Sequence, residues 1–401
     1  MTLRFSTCSV PECGKPGVRA IGGCDSYNRQ LCATHLSPSF HKCNQKAQTI
    51  AEVDRLRALI TDGAVCKLAS SLNGGRTCSV EHPPQIGTGS LMGCANYHTR
   101  IRFEDGLHSW LLRVPRVTSV ATSLPDEFVA HLIRSEYATL KFLETTAVPA
   151  PRAFAYGVRG GGAEHGVGVG FILMEELPGR PWTRFGVSSD DATKEERAKV
   201  RKSVADILAE LARHPFPAAR PLLLAQESHV EYTAFAEQHL ALVADGQLYA
   251  AYPVDAYLVY RFLKDNAWQL AEHDAGPQEF FLKHADDKGE HLLVVDENFN
   301  VTGIIDWQMA RVVPRQEAFG ASPVTASMSS LCRGKVSLSK DDVALAAALE
   351  ERGSPELASC MVDEKARRFF WGLALEPKWS HALPLANAIL EVFRARLVWE
   401  E

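Results

Sequence analysis

No apolar run in this 401-residue sequence approaches the roughly 20 residues that cross a bilayer, which argues against a helical membrane span. The opening MTLRFSTCSVPECG lacks the apolar stretch of a secretory signal, so the expected compartment is the cytoplasm, with the nucleus as the other choice. An excess of either charge is missing too. Lys plus Arg number 43 against 48 Asp plus Glu, a net charge of -5, which argues against a chain dominated by nucleic-acid binding. Internal repeats and low-complexity tracts are absent. With 46% hydrophobic and 23% charged residues, wholesale disorder is excluded as well.

The length fits two average domains or one large bilobal unit. Five of the ten cysteines, Cys8, Cys13, Cys24, Cys32 and Cys43, crowd the first 43 residues. In a reducing compartment such a cluster, joined by His35 and His41, reads as metal ligands before disulfides. The segment 1–45 has almost no hydrophobic periodicity and needs a cross-link to fold. Residues 46–84 read as a linker. Ile50, Val53, Leu56, Leu59 and Ile60 predict an amphipathic helix over 48–62, and the stretch 63–84 reads as irregular, punctuated by Asn73-Gly74-Gly75 and Pro83-Pro84.

Strands dominate next, with IRFEDGLHSWLLRV predicting a pair around a Glu104-Asp105-Gly106 turn. A helix follows over 126–145, then strands near 152–157 and 167–174. Long helices are expected over 191–213, 228–244, 254–272, 340–375 and 383–398, interrupted by a strand cluster at 279–306. Strands first, then helices around a small β insert, is the order of a two-lobed α+β protein: one lobe over 85–180 and a helical one over 181–401.

The chemistry concentrates in residues 280–314. His284-Ala285-Asp286 closes one apolar strand, and VTGIID closes another on Asp306, 20 residues after Asp286. Phosphoryl transfer needs two such carboxylates, one to take the proton of an attacking hydroxyl and one to hold a divalent cation on the phosphates. With the I-D-W that follows, this pattern resembles the aminoglycoside phosphotransferase and choline-kinase-like group, which has a protein-kinase-like fold. The resemblance implies a bilobal kinase fold and an ATP-dependent transfer to a small-molecule hydroxyl. Asp286 then matches the catalytic base, His284 the residue that shapes its loop, and Asp306 the metal ligand. His291 stands where that group carries Asn. An imidazole suits Mn²⁺ or Zn²⁺ better than Mg²⁺, so either His291 binds a softer ion, Asp306 and waters carry Mg²⁺ alone, or turnover is lost.

Upstream, Arg113 in SWLLRVPR and Glu136 in the next helix look like the group's strand cation and helix acid, with Arg where Lys is commoner. Gly87, Gly89 and Gly93 are spaced to turn backbone N–H groups onto phosphates. FILMEELPG looks like the hinge, whose backbone from Met174 to Glu176 would face the adenine.

The spacing Cys32-x2-His35-x5-His41-x-Cys43, with Cys8-x4-Cys13 and Cys24 before it, is what tetrahedral zinc demands. It resembles the AN-1-type zinc finger. That likeness implies one complete site from Cys8, Cys13, Cys32 and His35, and a second from Cys24, His41 and Cys43 whose fourth position is Tyr27. It also implies a possible protein partner for the finger. From the binding class, the alternative function is a pseudokinase adaptor that recruits a protein through it.

Overall fold

The computed structural model describes residues 7–17, 23–24, 29–37, 45–83, 95–106, 109–116, 126–159, 165–182, 192–217, 228–249, 253–267, 279–284, 286, 292–294, 298–320, 338–364, 387 and 389–393. The chain divides into two compact units, Met1–Thr145 with Ala150–Leu177, and Thr146–Pro149 with Pro178–Glu401. Among the described residues no helix is long and apolar enough to cross a membrane.

The first unit begins with the two-residue strands β1 (Gly23–Cys24) and β2 (Arg29–Gln30) and the single turn α1 (Ala33–Leu36). Two longer helices follow, α2 (Gln45–Leu59) and α3 (Asp62–Leu72). Then come β3 (Cys78–Glu81), β4 (Asn96–Phe103), β5 (Ser109–Pro115), helix α4 (Asp126–Leu143), β6 (Ala153–Gly157) and β7 (Phe171–Glu175). The strands form one antiparallel sheet in the order β3-β4-β5-β7-β6. Gly106, at φ 65°, supplies the left-handed residue of the expected β4–β5 turn.

Alternation along β4 decides which face is buried. Tyr97, Thr99, Ile101 and Phe103 are buried, whereas His98, Arg100 and Arg102 are more exposed. The buried face shares one core with Val53 and Leu56 of α2, Ile60 just after it, and Val65 and Ala69 of α3. Glu52 of α2 also makes a buried ion pair with Arg116, Nε to Oε2 3.0 Å. The segment expected as a linker is thus partly core. The expectation of an irregular 63–84 is corrected: α3 and β3 lie within it. Val65 and Ala69 repeat at helical spacing, and Asn73-Gly74-Gly75 marks the end of α3 rather than the absence of a helix.

In the second unit a two-residue strand β8 (Arg180–Pro181) precedes α5 (Lys194–Ala212), α6 (Ser228–Ala244) and α7 (Pro253–Asn266). Thr193 and Glu196 close a capping box on α5, fixing where it starts. Strands β9 (Phe280–Lys283), β10 (Leu292–Val294), β11 (Val301–Ile304) and β12 (Arg311–Pro314) follow. They pair as β11-β10-β8 and β12-β9. Helix α8 (Arg315–Phe319) leads on to α9 (Lys340–Glu350) and α10 (Pro355–Val362). One helix was expected over 340–375. Gly353, at φ 72°, and Pro355 at the start of α10 split it, because neither continues a helix from the preceding turn.

Candidate active site and metal centre

In the second unit the geometry is organised by one imidazole. His284 follows β9 and is buried, its ring edge-on to Trp307 with centroids 4.7 Å apart. The backbone N–H of Asp286 can only donate, so His284 Nδ1 accepts from it, at 3.3 Å. The proton therefore sits on Nε2, which donates to the Ile305 carbonyl at 2.8 Å. The ring thus ties the backbone of Asp286 to the peptide immediately before Asp306. Trp307 fixes the same turn, donating from Nε1 to the Ile304 carbonyl at 2.9 Å.

Asp306 itself is left-handed, at φ 68° and ψ 53°. Such a backbone costs a non-glycine residue about 1–3 kcal/mol, less for Asp than for most, and it turns the chain sharply out of β11. Asp286 and Asp306 are both half-buried, a position that leaves their carboxylates reachable. Sequence reasoning placed Trp307 in the motif but missed that it clamps the turn. His291 lies outside the described residues.

In the first unit Arg113 of β5 and Glu136 of α4 form a buried ion pair, Nε to Oε2 3.1 Å, with side chains 4% and 3% exposed. His98 lies directly across from Arg113 in the β4–β5 register. Its Nε2 is 3.4 Å from an Arg113 terminal nitrogen, and since guanidinium only donates, His98 accepts there. Only strand register reveals His98, so the linear sequence gave no signal for it.

Met174 is buried and pairs with Leu111 on one side and Ala153 on the other. The next two N–H groups are engaged as well: Glu175 donates to the Arg152 carbonyl at 2.9 Å and Glu176 to the Ser109 carbonyl at 3.1 Å. The Glu176 side chain meets Arg100 bidentately, Nε to Oε2 2.7 Å, and also accepts from Ser109. Burial opposes its ionisation, but Arg100 and Ser109 outweigh that and hold the carboxyl below the usual carboxylate range. Gly87, Gly89 and Gly93 lie outside the described residues.

Four ligand atoms converge near the start of the chain. Those of Cys8, Cys13, Cys32 and His35 all lie within 4.8 Å of one another. Cys13 Sγ is 3.7 Å from Cys32 Sγ, and His35 Nδ1 is 3.3 Å from Cys8 Sγ and 3.5 Å from Cys32 Sγ. A tetrahedron built on ordinary zinc–sulfur and zinc–nitrogen bonds has edges of about 3.8 and 3.6 Å, so this set fits zinc. Burial disfavours a thiolate at Cys32, but the His35 N–H and the Cys13 and Cys8 thiols outweigh it and bring it down to about 6. At Cys13 the Lys15 N–H favours the thiolate, yet desolvation and the Cys32 sulfur prevail and push it up. Cys24 lies in β1. Its side chain, together with Tyr27, His41 and Cys43, lies outside the described residues.

A five-stranded antiparallel sheet with its helix, followed by a mixed unit carrying the His284–Asp306 turn, defines a kinase-like fold. The chain belongs to the phosphotransferase enzyme family, whose sequence model (APH) matches residues 97–320. A proposed aminoglycoside phosphotransferase from Ralstonia eutropha JMP134 superposes with a TM-score of 0.51 at 13% identity, covering 78% of this chain and 95% of that one. The macrolide 2′-phosphotransferase of Brachybacterium faecium gives a TM-score of 0.45 at 20% identity, covering 82% and 97%. An ethanolamine kinase of Plasmodium vivax gives 0.44 at 12%, covering 78% and 83%. No curated protein matches the sequence significantly.

Proposed function

We propose that this chain transfers the γ-phosphoryl group of ATP to a hydroxyl of a small molecule. The observation that carries the reading is the His284 ring, which joins the backbone of Asp286 to that of Ile305 inside the family-matched region. In this reading Asp286 accepts the proton of the attacking hydroxyl. Arg113, held by Glu136, pairs with the α- and β-phosphates, and N–H groups of the 87–93 loop cradle them. The Met174–Glu176 stretch faces the base. Two of its N–H groups, those of Glu175 and Glu176, are engaged by the Arg152 and Ser109 carbonyls.

The Asp306 carboxylate offers hard oxygen donors, which fit Mg²⁺, and His291 would shift the preference towards Mn²⁺ if it joined them. Bound there, the ion would neutralise phosphate charge. The protein's own contribution is positioning: a fixed base, a fixed cation and a turn held by two aromatic rings.

Calorimetry of ATP binding with Mg²⁺, with Mn²⁺ and without metal tests this on the wild type and Asp306→Asn, which keeps the shape and removes the charge. Metal-dependent binding that the substitution abolishes supports the site. Absence of binding under every condition overturns it and favours the pseudokinase adaptor.

The Cys8, Cys13, Cys32 and His35 set is read as a closed structural zinc site. Four protein ligands leave no open position, so the ion would contribute folding energy rather than catalysis.

A further inference from the structure

Outside both sites, two thiols face each other across the turn between α3 and β3. Cys66 Sγ lies 3.3 Å from the Cys78 carbonyl oxygen, and Cys78 Sγ lies 3.6 Å from the Cys66 carbonyl oxygen. That reciprocal contact sets each sulfur against the backbone of the other cysteine. Both residues are half-buried free thiols.

The backbone explains the juxtaposition. Gly74 and Gly75 take left-handed φ values of 65° and 83°, and Gly75 N–H closes onto the Ser70 carbonyl at 2.8 Å. The chain thus doubles back from α3 into β3 within a few residues, and Cys66 meets Cys78. Disulfide formation requires side chains that already point at each other, because poor Cβ geometry stores strain.

We propose that Cys66 and Cys78 form an oxidative modification site, which a hydroperoxide closes to an intramolecular disulfide. The Cys66 sulfur attacks the outer peroxide oxygen, the O–O bond breaks, and an alcohol (or water, from hydrogen peroxide) leaves. The sulfenic acid so formed is attacked by the Cys78 sulfur. The S–S bond forms, the S–O bond breaks, and water leaves. Two thiol hydrogens are consumed, and the peroxide is reduced by the two electrons that the sulfurs lose. Burial, followed by the neighbouring Cys66, pushes the Cys78 thiol up to about 11, which leaves Cys66 as the sulfur that meets the peroxide. The bond staples α3 to β3, and β3 ends at Glu81, just before the glycine-bearing stretch 87–93.

Hydrogen peroxide treatment of the full chain, then alkylation and tryptic mapping, tests this directly. Lys67 and Arg76 lie between the two cysteines, so trypsin separates them unless a disulfide holds the peptides together. The expected result is a Cys66–Cys78 linked pair with the loss of two hydrogens, and a Tm that rises by several degrees on oxidation. Cys78→Ser removes both the linked pair and the rise. Recovery of the two cysteines from oxidised wild type as separate alkylated or sulfinylated peptides overturns the proposal. The wild-type map alone decides it, even if the variant does not fold.

Discussion

His284 donates its Nε2 proton to the Ile305 carbonyl at 2.8 Å, while its other ring nitrogen receives the Asp286 N–H. One side chain therefore sets the spacing of two backbone segments that each carry a carboxylate. Replacement by Phe keeps the packing against Trp307 and loses both hydrogen bonds. His284→Phe is expected to lower ATP turnover about 10–100-fold, with ATP affinity nearly unchanged, because misplacement falls on the reacting groups. A coupled ATPase assay beside a binding isotherm checks the split. Equal losses in both would contradict it.

The buried Arg113–Glu136 pair lets stability be separated from ligand binding. Glu136→Gln removes the carboxylate charge opposite buried Arg113 and is expected to cost about 3–5 kcal/mol. Replacing both, by Arg113→Met with Glu136→Leu, should recover much of that loss because apolar groups fill the same space. ATP affinity should stay lost in the double variant. Thermal melts and calorimetry on the three proteins give the answer.

Helix α2 belongs to the sheet's core through Val53 and Leu56, and through the Glu52–Arg116 pair. A chain beginning at residue 85 removes α2, α3 and β3. It is expected to lose cooperative unfolding, although it retains every residue matched by the family. A sharp, wild-type-like melt from that truncation would show the helices to be dispensable.

Glu210, at the end of α5, accepts from the Ala147 N–H at 3.0 Å, the His214 ring at 3.0 Å and Arg213 at 2.9 Å. The Ala147 N–H first, then His214 and Arg213, outweigh burial and hold its carboxyl down to about 2, against an ordinary value of 4.5. A depressed folded-state value contributes stability that is complete above about pH 4.5 and is lost as pH falls through about 2. Discounted for solvent screening, this amounts to about 1–2 kcal/mol. Glu210→Gln should flatten that part of the pH profile. Urea melts between these two limits measure the difference.

The Cys8, Cys13, Cys32 and His35 cluster predicts at least one tightly held zinc per chain, measurable by elemental analysis after dialysis. Cys32→Ser should release it and make the first 45 residues protease-sensitive. Undiminished zinc in that variant would place the ion elsewhere.

Much of this was legible in the sequence because the signals were local. The turn at Glu104-Asp105-Gly106 and helix 228–244 follow from short spacing rules, and each appears where spacing put it. What escaped notice depended on contacts between distant segments. Helix α3 reads as irregular because its buried positions, Val65 and Ala69, are few, and it is the sheet face beneath them that makes them a stripe. His98 is unremarkable until strand register sets it opposite Arg113. Glu52 looks like one more surface acid on an amphipathic helix until Arg116 meets it inside the unit.

The left-handed backbone at Asp306 also sets two selections against each other. Glycine adopts that conformation without steric cost, so a screen for thermostability alone would drift towards Asp306→Gly. A screen for phosphoryl transfer would hold the aspartate. Directed evolution of this chain would therefore meet its sharpest conflict between durability and activity at a single position.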